Sequence, residues 1–395
     1  YGGCGGTMAF PLTVFEQAGK GRGCASTRDL SAGEVVLRCA PIAVALDDKE
    51  LSRRCSRCTG VLADPDEATI CPSCKIARFC RRCAEEDGTA EDHEGECWAL
   101  TVLRGGKGGK GQEFRDRLLA QTAGSTAAGQ PESSTAMTRL AVRLLAVRTR
   151  HLRKLEPLPL VDPTADDPEA PPVAHDVWPD VEELDPQSSL NLDEVLARLP
   201  VDIAQDILGG SNMVALLAPT MSRCHRNEVL RLVLRIRLNS MALLPEERVR
   251  EATGSAESFS WQDLGTGLYP SGAMFNHSCE PNCLWYMDRG VLVVETTAPV
   301  KEGAELSIAY LPVARSCDAD ARGRRERLLR EFGFQCLCPR CERELPNQVA
   351  VSASVPVDAS DAEVEVVEDG RPRRARPRPG YRGPGRPRKQ LAPGR

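Results

Sequence analysis

No stretch of this sequence approaches the ~18 consecutive apolar residues of a membrane-spanning helix, so no such span is read in it. The first ten residues, Tyr1 to Phe10, lack a basic start followed by an apolar run, so no secretory signal is read. They also begin without Met, so either the true N-terminus lies upstream or Met8 is the start. Aromatic residues are scarce at 4%, and apolar residues, at 41%, fall just under the usual share. With 33 Gly and 29 Pro in 395 residues, a core forms but part of the chain stays out of it. The length suits one large domain or two ordinary ones, and no internal repeat is visible. An excess of positive charge is missing too: the net charge of −5 argues against a generic nucleic-acid binder. Together these absences favour a reducing, intracellular compartment. There the 17 cysteines read as metal thiolates rather than disulfides.

The chain divides by composition. Residues 10–50 read as short strands, with Val35-Val36-Leu37 and Ile42 to Leu46 apolar and Gly33 and Pro41 punctuating them. Residues 104–135 are rich in Gly, Lys, Ser and Thr and read as a flexible insertion. Leu140, Leu144, Leu145 and Leu152 have helical spacing within 137–155, among many Arg. Residues 156–186 carry ten acidic residues, eight Pro and no Lys or Arg, and read as a solvated linker without structure of its own. Residues 190–250 read as two or three helices, and 260–312 as short strands again, clearest at Val291–Val294 and Leu306–Ile308.

Two cysteine clusters stand out. Cys55-x2-Cys58, Cys71-x2-Cys74, Cys80-x2-Cys83 and His93-x3-Cys97 supply eight donors within 43 residues. Eight ligands fill two closed tetrahedral sites of the thiolate and imidazole type that zinc favours, and closed sites are structural. The second cluster, Cys336-x-Cys338-x2-Cys341, supplies three thiolates and needs a fourth ligand. Spacing leaves Cys4, Cys24, Cys39, Cys224, Cys279, Cys283 and Cys317 open for that place.

The first cluster resembles a MYND zinc finger, with C-x2-C in its third pair where that family usually has C-x3-C. The resemblance implies interleaved ligands: Cys55, Cys58, Cys80 and Cys83 on one ion, Cys71, Cys74, His93 and Cys97 on the other. Asn276-His277-Ser278-Cys279-Glu280-Pro281-Asn282 resembles the signature of SET-domain lysine methyltransferases. Gly19 to Gly23 resembles their glycine turn, Glu305 to Tyr310 the strand that ends in the catalytic tyrosine, and Phe332 to Cys338 the post-SET segment. Gly267-Leu268-Tyr269-Pro270 and Leu238-Asn239-Ser240 match further. A finger set inside a SET domain marks the SET-and-MYND family.

That resemblance implies an α+β fold, mainly short β-sheets. The expected order is a SET N-terminal part (1–54), a MYND finger (55–97) and a flexible and helical insertion with the acidic linker (98–189). The SET insert and C-terminal part (190–312), a post-SET zinc segment (313–345) and a basic tail (346–395) follow. It implies S-adenosyl-L-methionine (AdoMet) as cofactor, held by Lys20, Gly21, Arg22, Gly23, Asn239, Asn276, His277 and Phe334. It makes Tyr310 catalytic and gives the lysine channel to Tyr269, Phe332 and Phe334. It makes Cys279 the fourth ligand of a third zinc with Cys336, Cys338 and Cys341. The glycine turn fits a backbone that approaches a ligand closely, and a basic side chain beside it fits the cofactor's carboxylate.

The last 25 residues hold nine Arg, one Lys and no acid, so residues 1–370 carry −15. Gly-Arg-Pro at 370–372 and 385–387 resembles AT-hooks, in which Arg371, Arg373, Arg386 and Arg388 would enter the narrow minor groove of A·T-rich DNA. A nuclear import signal is the plainer reading, and either favours the nucleus, with the cytoplasm as a second compartment. The expected function is methyl transfer to a protein lysine, histone above others, with a Pro-rich peptide partner for the finger. The alternative is a non-catalytic adaptor that recruits partners to chromatin.

Overall fold

Val35–Ala40, β-branched at its start and buried along nearly all its length, is the strand around which the core is built. The computed structural model describes residues 10–17, 21–64, 67–86, 89–104, 135–156, 172–184, 191–218, 226–254, 264–311 and 320–345. The chain divides into a unit of residues 1–346 and one of 347–395. The second unit, with the AT-hook-like motifs, lies outside the described residues, as do most of the insertion at 105–134 and Lys20.

Short sheets carry the fold. One runs in the order β1 (Leu12–Gln17), β2 (Gly21–Ser26), β13 (Glu305–Ile308), β10 (Asn276–His277). A second runs β11 (Cys283–Asp288), β12 (Val291–Thr296), β3 (Val35–Ala40), β7 (Ala174–His175). The third is β4 (Ala43–Leu46), β9 (Gly265–Leu268), β8 (Ser240–Ala242). A two-stranded ribbon, β5 (Thr69–Ile70) with β6 (Arg78–Phe79), belongs to the finger. The first sheet matters most for function. It joins residues near 24 to residues near 306 (Leu306 opposite Cys24) and sets β10 parallel to β13 with His277 opposite Ile308.

The helix Ala136–Leu152 shows what the Leu spacing led us to expect, with Leu140, Leu144 and Leu145 buried. Two of its Arg residues are buried as well. Arg139 has no exposed surface and donates to Glu96, to Asp48 Oδ1 at 3.0 Å and to the Leu46 carbonyl. Arg143 donates to Asp92 and, at 3.4 Å, to Glu96. Because Asp92 and Glu96 lie on the finger's last helix, Thr89–Arg104, this network ties the finger to the SET core. Removing one partner of such a buried pair costs about 3–5 kcal/mol, since the other charge stays desolvated.

The acidic, proline-rich stretch is a correction. Its described part, 172–184, is not a bare linker: Ala174–His175 pairs in parallel with β3, and Trp178–Glu183 is a helix. Trp178, Val181 and Leu184 fall every third residue, form one apolar face and are buried. Pro179 lies in the first turn, where a missing N–H does no harm. Composition averaged over the stretch hid this face. Residues 191–254 likewise hold four described helices rather than two or three: Leu192–Ala197, Val201–Leu217, Arg226–Asn239 and Glu246–Gly254. No helix among the described residues is long and apolar enough to cross a membrane.

Candidate active site and zinc centres

Three groups of four sulfur or imidazole donors converge, each with its donor atoms within 4.8 Å of one another. They are Cys55, Cys58, Cys80 and Cys83; Cys71, Cys74, His93 and Cys97; and Cys279, Cys336, Cys338 and Cys341. A tetrahedron with zinc–sulfur arms of 2.3 Å has edges of about 3.8 Å. Cys58 and Cys80 stand 3.9 Å apart, Cys71 and Cys97 3.8 Å, Cys279 and Cys336 3.9 Å, and Cys279 and Cys341 3.6 Å. Those separations fit zinc and are far too long for disulfides. The interleaving expected from the resemblance is present, Cys83 included. Among the open choices for the fourth ligand of the last site, the fold brings in Cys279, while Cys24, Cys39 and Cys283 are buried elsewhere as free thiols. Cys4, Cys224 and Cys317 lie outside the described residues.

The Asn276–Asn282 motif is stitched to the strand that ends at Tyr310. Asn282 Nδ2 donates to the Glu305 carbonyl at 2.8 Å, and its Oδ1 accepts from Ser307 N at 2.8 Å. Asn276 Nδ2 donates to Glu305 Oε1 at 2.9 Å. Gly23 packs against Asn276: a Cβ there would stand 2.6 Å from Asn276 Nδ2 and 2.6 Å from the Phe15 ring. Gly21, with φ +77°, has nothing within 4 Å of where a Cβ would stand, so its backbone borders open space. That open backbone beside Asn276 fits the close approach of a cofactor.

His277 is the hub. Its Nδ1 accepts the Tyr310 backbone N–H at 2.9 Å, and its Nε2 lies 3.2 Å from Cys279 Sγ. Burial pushes its pKa down to about 4, so the ring is neutral at physiological pH. With Nδ1 accepting, Nε2 carries the proton and points at the sulfur. The imidazole is therefore taken up inside the protein, and only the backbone of His277 is left for a ligand.

Tyr310 sits in a nest of half-buried rings. Phe332 is 5.1 Å away between centroids, His277 5.4 Å, and Phe334 6.2 Å and edge-on. Phe332 ends the helix Ala321–Phe332, and a left-handed cap at Gly333 turns the chain so that Phe334 doubles back onto the nest. The Tyr310 hydroxyl donates to the Phe275 carbonyl at 2.7 Å. Burial, with the nearby Cys24 and Glu305, pushes its pKa above the usual value.

Tyr269 does not join them, which corrects its place in the channel. It has no exposed surface, and its hydroxyl donates to the Gly290 carbonyl at 2.7 Å. A side chain sealed in the main core cannot line a channel open to substrate. Arg22 and Asn239 do come together, on one short helix. Arg22 donates to the Glu183 carbonyl, and Asn239 Nδ2 donates to the Leu184 carbonyl at 3.4 Å. Both carbonyls lie at the C-terminal end of Trp178–Glu183, which the sequence reading passed over. That reading also missed Glu305, the carboxylate that fixes Asn276, and Arg324, a fully buried cation 3.8 Å from Cys341 Sγ. No spacing pattern marks either residue.

The family model described as SET domain matches residues 21–311. Histone-lysine N-methyltransferase SMYD3 of Mus musculus is 22% identical over 343 residues, covering 85% of this chain and 62% of its own. Histone-lysine N-methyltransferase ASHR2 of Arabidopsis thaliana is 25% identical over 347 residues, covering 84% and 72%. The chain thus spans about three fifths of the length of its mouse relative. Among solved structures, the SET domain of LSMT bound to lysine and AdoHcy aligns at 12% identity over 84% of this chain and 53% of that one, with a TM-score of 0.29.

Proposed function

The chain belongs to the SET-domain family, in its SET-and-MYND branch, and from that premise we propose that it is an AdoMet-dependent protein-lysine methyltransferase. The observation that carries the proposal is the Tyr310 nest. A tyrosine hydroxyl, two half-buried phenylalanines and a neutral histidine meet beside the glycine strand and Asn276. The mouse and Arabidopsis relatives, both histone-lysine N-methyltransferases by name, support the same reaction class.

AdoMet, when bound, would supply a sulfonium methyl for transfer to a neutral lysine amine, with S-adenosylhomocysteine and one proton released to solvent as the other products. The residues that would hold it are Gly21, Arg22, Gly23, Asn239, Asn276 and the His277 backbone, with Phe334 at the rim. Because the Tyr310 hydrogen is committed to Phe275, its oxygen offers lone pairs, which orient a lysine N–H. Phe332 and Phe334 keep water from the amine, and desolvation lowers the pKa of a lysine from about 10.4, so the neutral form is available. The chain then supplies alignment rather than acid or base. The zinc held through Cys279 fixes the post-SET segment, and so Phe332 and Phe334, against the SET core.

Histone is the proposed substrate class and the nucleus the proposed compartment, both supported by the basic tail. A·T-rich DNA for that tail and a Pro-rich peptide for the finger are proposed on composition and resemblance. The test is incubation with labelled AdoMet, core histones and a mixed protein extract. Label on protein lysine, lost in Tyr310→Phe, is the expected result. Label on no protein, with Tyr310→Phe behaving like the wild type, overturns the reading.

A further inference from the structure

A cavity of about 380 Å³ lies away from the Tyr310 nest, where the finger, the helix Ala136–Leu152 and the segment 176–179 meet. None of Tyr310, His277, Asn276, Phe332 or Phe334 lines it. Its volume falls within the range of small-molecule sites. Ile42, Val147, Leu155 and Trp178 make much of its wall, so it suits an apolar body.

Its charged groups are not equally satisfied. Asp92 is held by Arg143. Asp176 accepts from Ser271 N at 2.8 Å and from the Ser271 hydroxyl, and Cys39 Sγ–H points at it from 3.1 Å. Both carboxylates that face the cavity are therefore already occupied. Arg57 is paired with Glu86 at 3.1 Å, and Arg143 with Asp92 and Glu96. Arg150 differs. It is half-buried and lines the cavity, yet its one bond among the described residues is from Nη2 to the Glu156 carbonyl, at 2.9 Å. Its Nε is buried with no partner, and it forms no ion pair with a carboxylate among the described residues. A half-desolvated guanidinium with no counter-ion among the described residues favours the arrival of an anion. The unmet demand in this cavity is for an acceptor of negative charge.

We propose that the cavity is a binding site for a small organic carboxylate with an aromatic or branched apolar body, its carboxylate on Arg150 and its body against Trp178 and Val147. The planar guanidinium fork matches a carboxylate, which a neutral or cationic ligand would not exploit. The site is independent of methyl transfer and stands whether or not the chain is an enzyme.

The probes are 2-naphthoate and its neutral isostere 2-naphthalenemethanol, titrated calorimetrically into the zinc-loaded full chain. Naphthoate is expected to bind at one site, and more tightly than the alcohol. Arg150→Gln should weaken naphthoate by about tenfold and leave the alcohol unchanged, since only the charge-assisted bond is lost. Val147→Phe, which fills the cavity, should weaken both. Arg150→Gln, on a half-buried residue, keeps the test decisive should Val147→Phe fail to fold. No saturable naphthoate binding at millimolar concentration overturns the proposal. So does an Arg150→Gln variant that binds naphthoate as the wild type does, or a folded Val147→Phe variant that binds both probes unchanged.

Discussion

The Tyr310 backbone N–H donates to His277 Nδ1 at 2.9 Å, while the other ring nitrogen of His277 faces Cys279 Sγ at 3.2 Å. One imidazole thus joins the residue proposed to orient the substrate to a ligand of the third metal centre. It does so across 33 residues of sequence, through the parallel pairing of β10 with β13. The histidine of the motif is a positioning residue, and Tyr310 is the group it positions.

Replacing His277 with Ala removes the acceptor under Tyr310. An orphaned buried N–H costs about 1–3 kcal/mol, so methyl transfer is expected to fall by about ten- to a hundredfold. Binding of S-adenosylhomocysteine should change much less, because the contact assigned to this position runs through the backbone. Turnover measured beside calorimetric binding separates the two effects.

The metal centres can be counted. Elemental analysis of the reduced, folded protein should find about three zinc ions per chain, matching the three donor groups. Cys279→Ser should lower this by about one, keep the finger loaded and abolish methyl transfer, because the helix carrying Phe332 loses its anchor. A wild-type count near zero in a folded sample would refute the assignment.

Gly23→Ala places a methyl 2.6 Å from both Asn276 Nδ2 and the Phe15 ring. Overpacking of this kind destabilises by about 1–3 kcal/mol, which urea unfolding would read as a lower midpoint. Because Asn276 must move, cofactor binding should weaken with it.

Asp176 holds Ser271 through both its oxygens and faces Cys39, and so docks the segment that ends in the helix Trp178–Glu183. Asp176→Ala leaves those donors unpaired, at about 1–3 kcal/mol. Affinity for S-adenosylhomocysteine should drop too, since Arg22 and Asn239 are both seated on the far end of that helix. Unchanged affinity would show that the segment does not support the cofactor site.

The pKa of Tyr310 is raised by burial and by its neighbours Cys24 and Glu305, above the ordinary value of about 10. Its hydroxyl stays protonated in the folded protein at a pH where a free tyrosine ionises. The contribution to stability is therefore fully present below pH about 10 and is lost as pH climbs through the raised folded value. The pH profile of methyl transfer should show no decline from Tyr310 up to about pH 10. An ultraviolet phenolate titration step centred at about 9 that is missing from Tyr310→Phe would contradict the burial of this group.

Much of the site was legible because its chemistry is written locally. Cysteine pairs with two residues between them suit a single ion, and Asn276 to Asn282 keep a fixed order along seven residues. Tyr269 was misplaced for the same reason: it lies just ahead of the motif in sequence, but the hydroxyl turns into the core to meet Gly290. The helix at 178–183 was passed over because ten acids and eight prolines dominate its stretch, while its three buried residues are too few to show in an average.

By itself the sequence determined the donors, the apolar face of Ala136–Leu152 and the charge asymmetry between acidic body and basic tail. These are local properties, fixed by residue type and by spacing over a few turns. Spacing left the fourth ligand of the third metal centre open, the resemblance implied Cys279, and the fold brings it in; only the tertiary structure decided that His277 bears Tyr310 and that Arg139 and Arg143 fasten the finger to the core. The same holds for Arg150, which lines a cavity whose two carboxylates, Asp92 and Asp176, are taken by other donors. Each of these depends on parallel pairings or helix contacts between segments tens to hundreds of residues apart. Such pairings form because burying many apolar side chains together offsets the chain entropy of closing long loops, and no short stretch of sequence carries that balance.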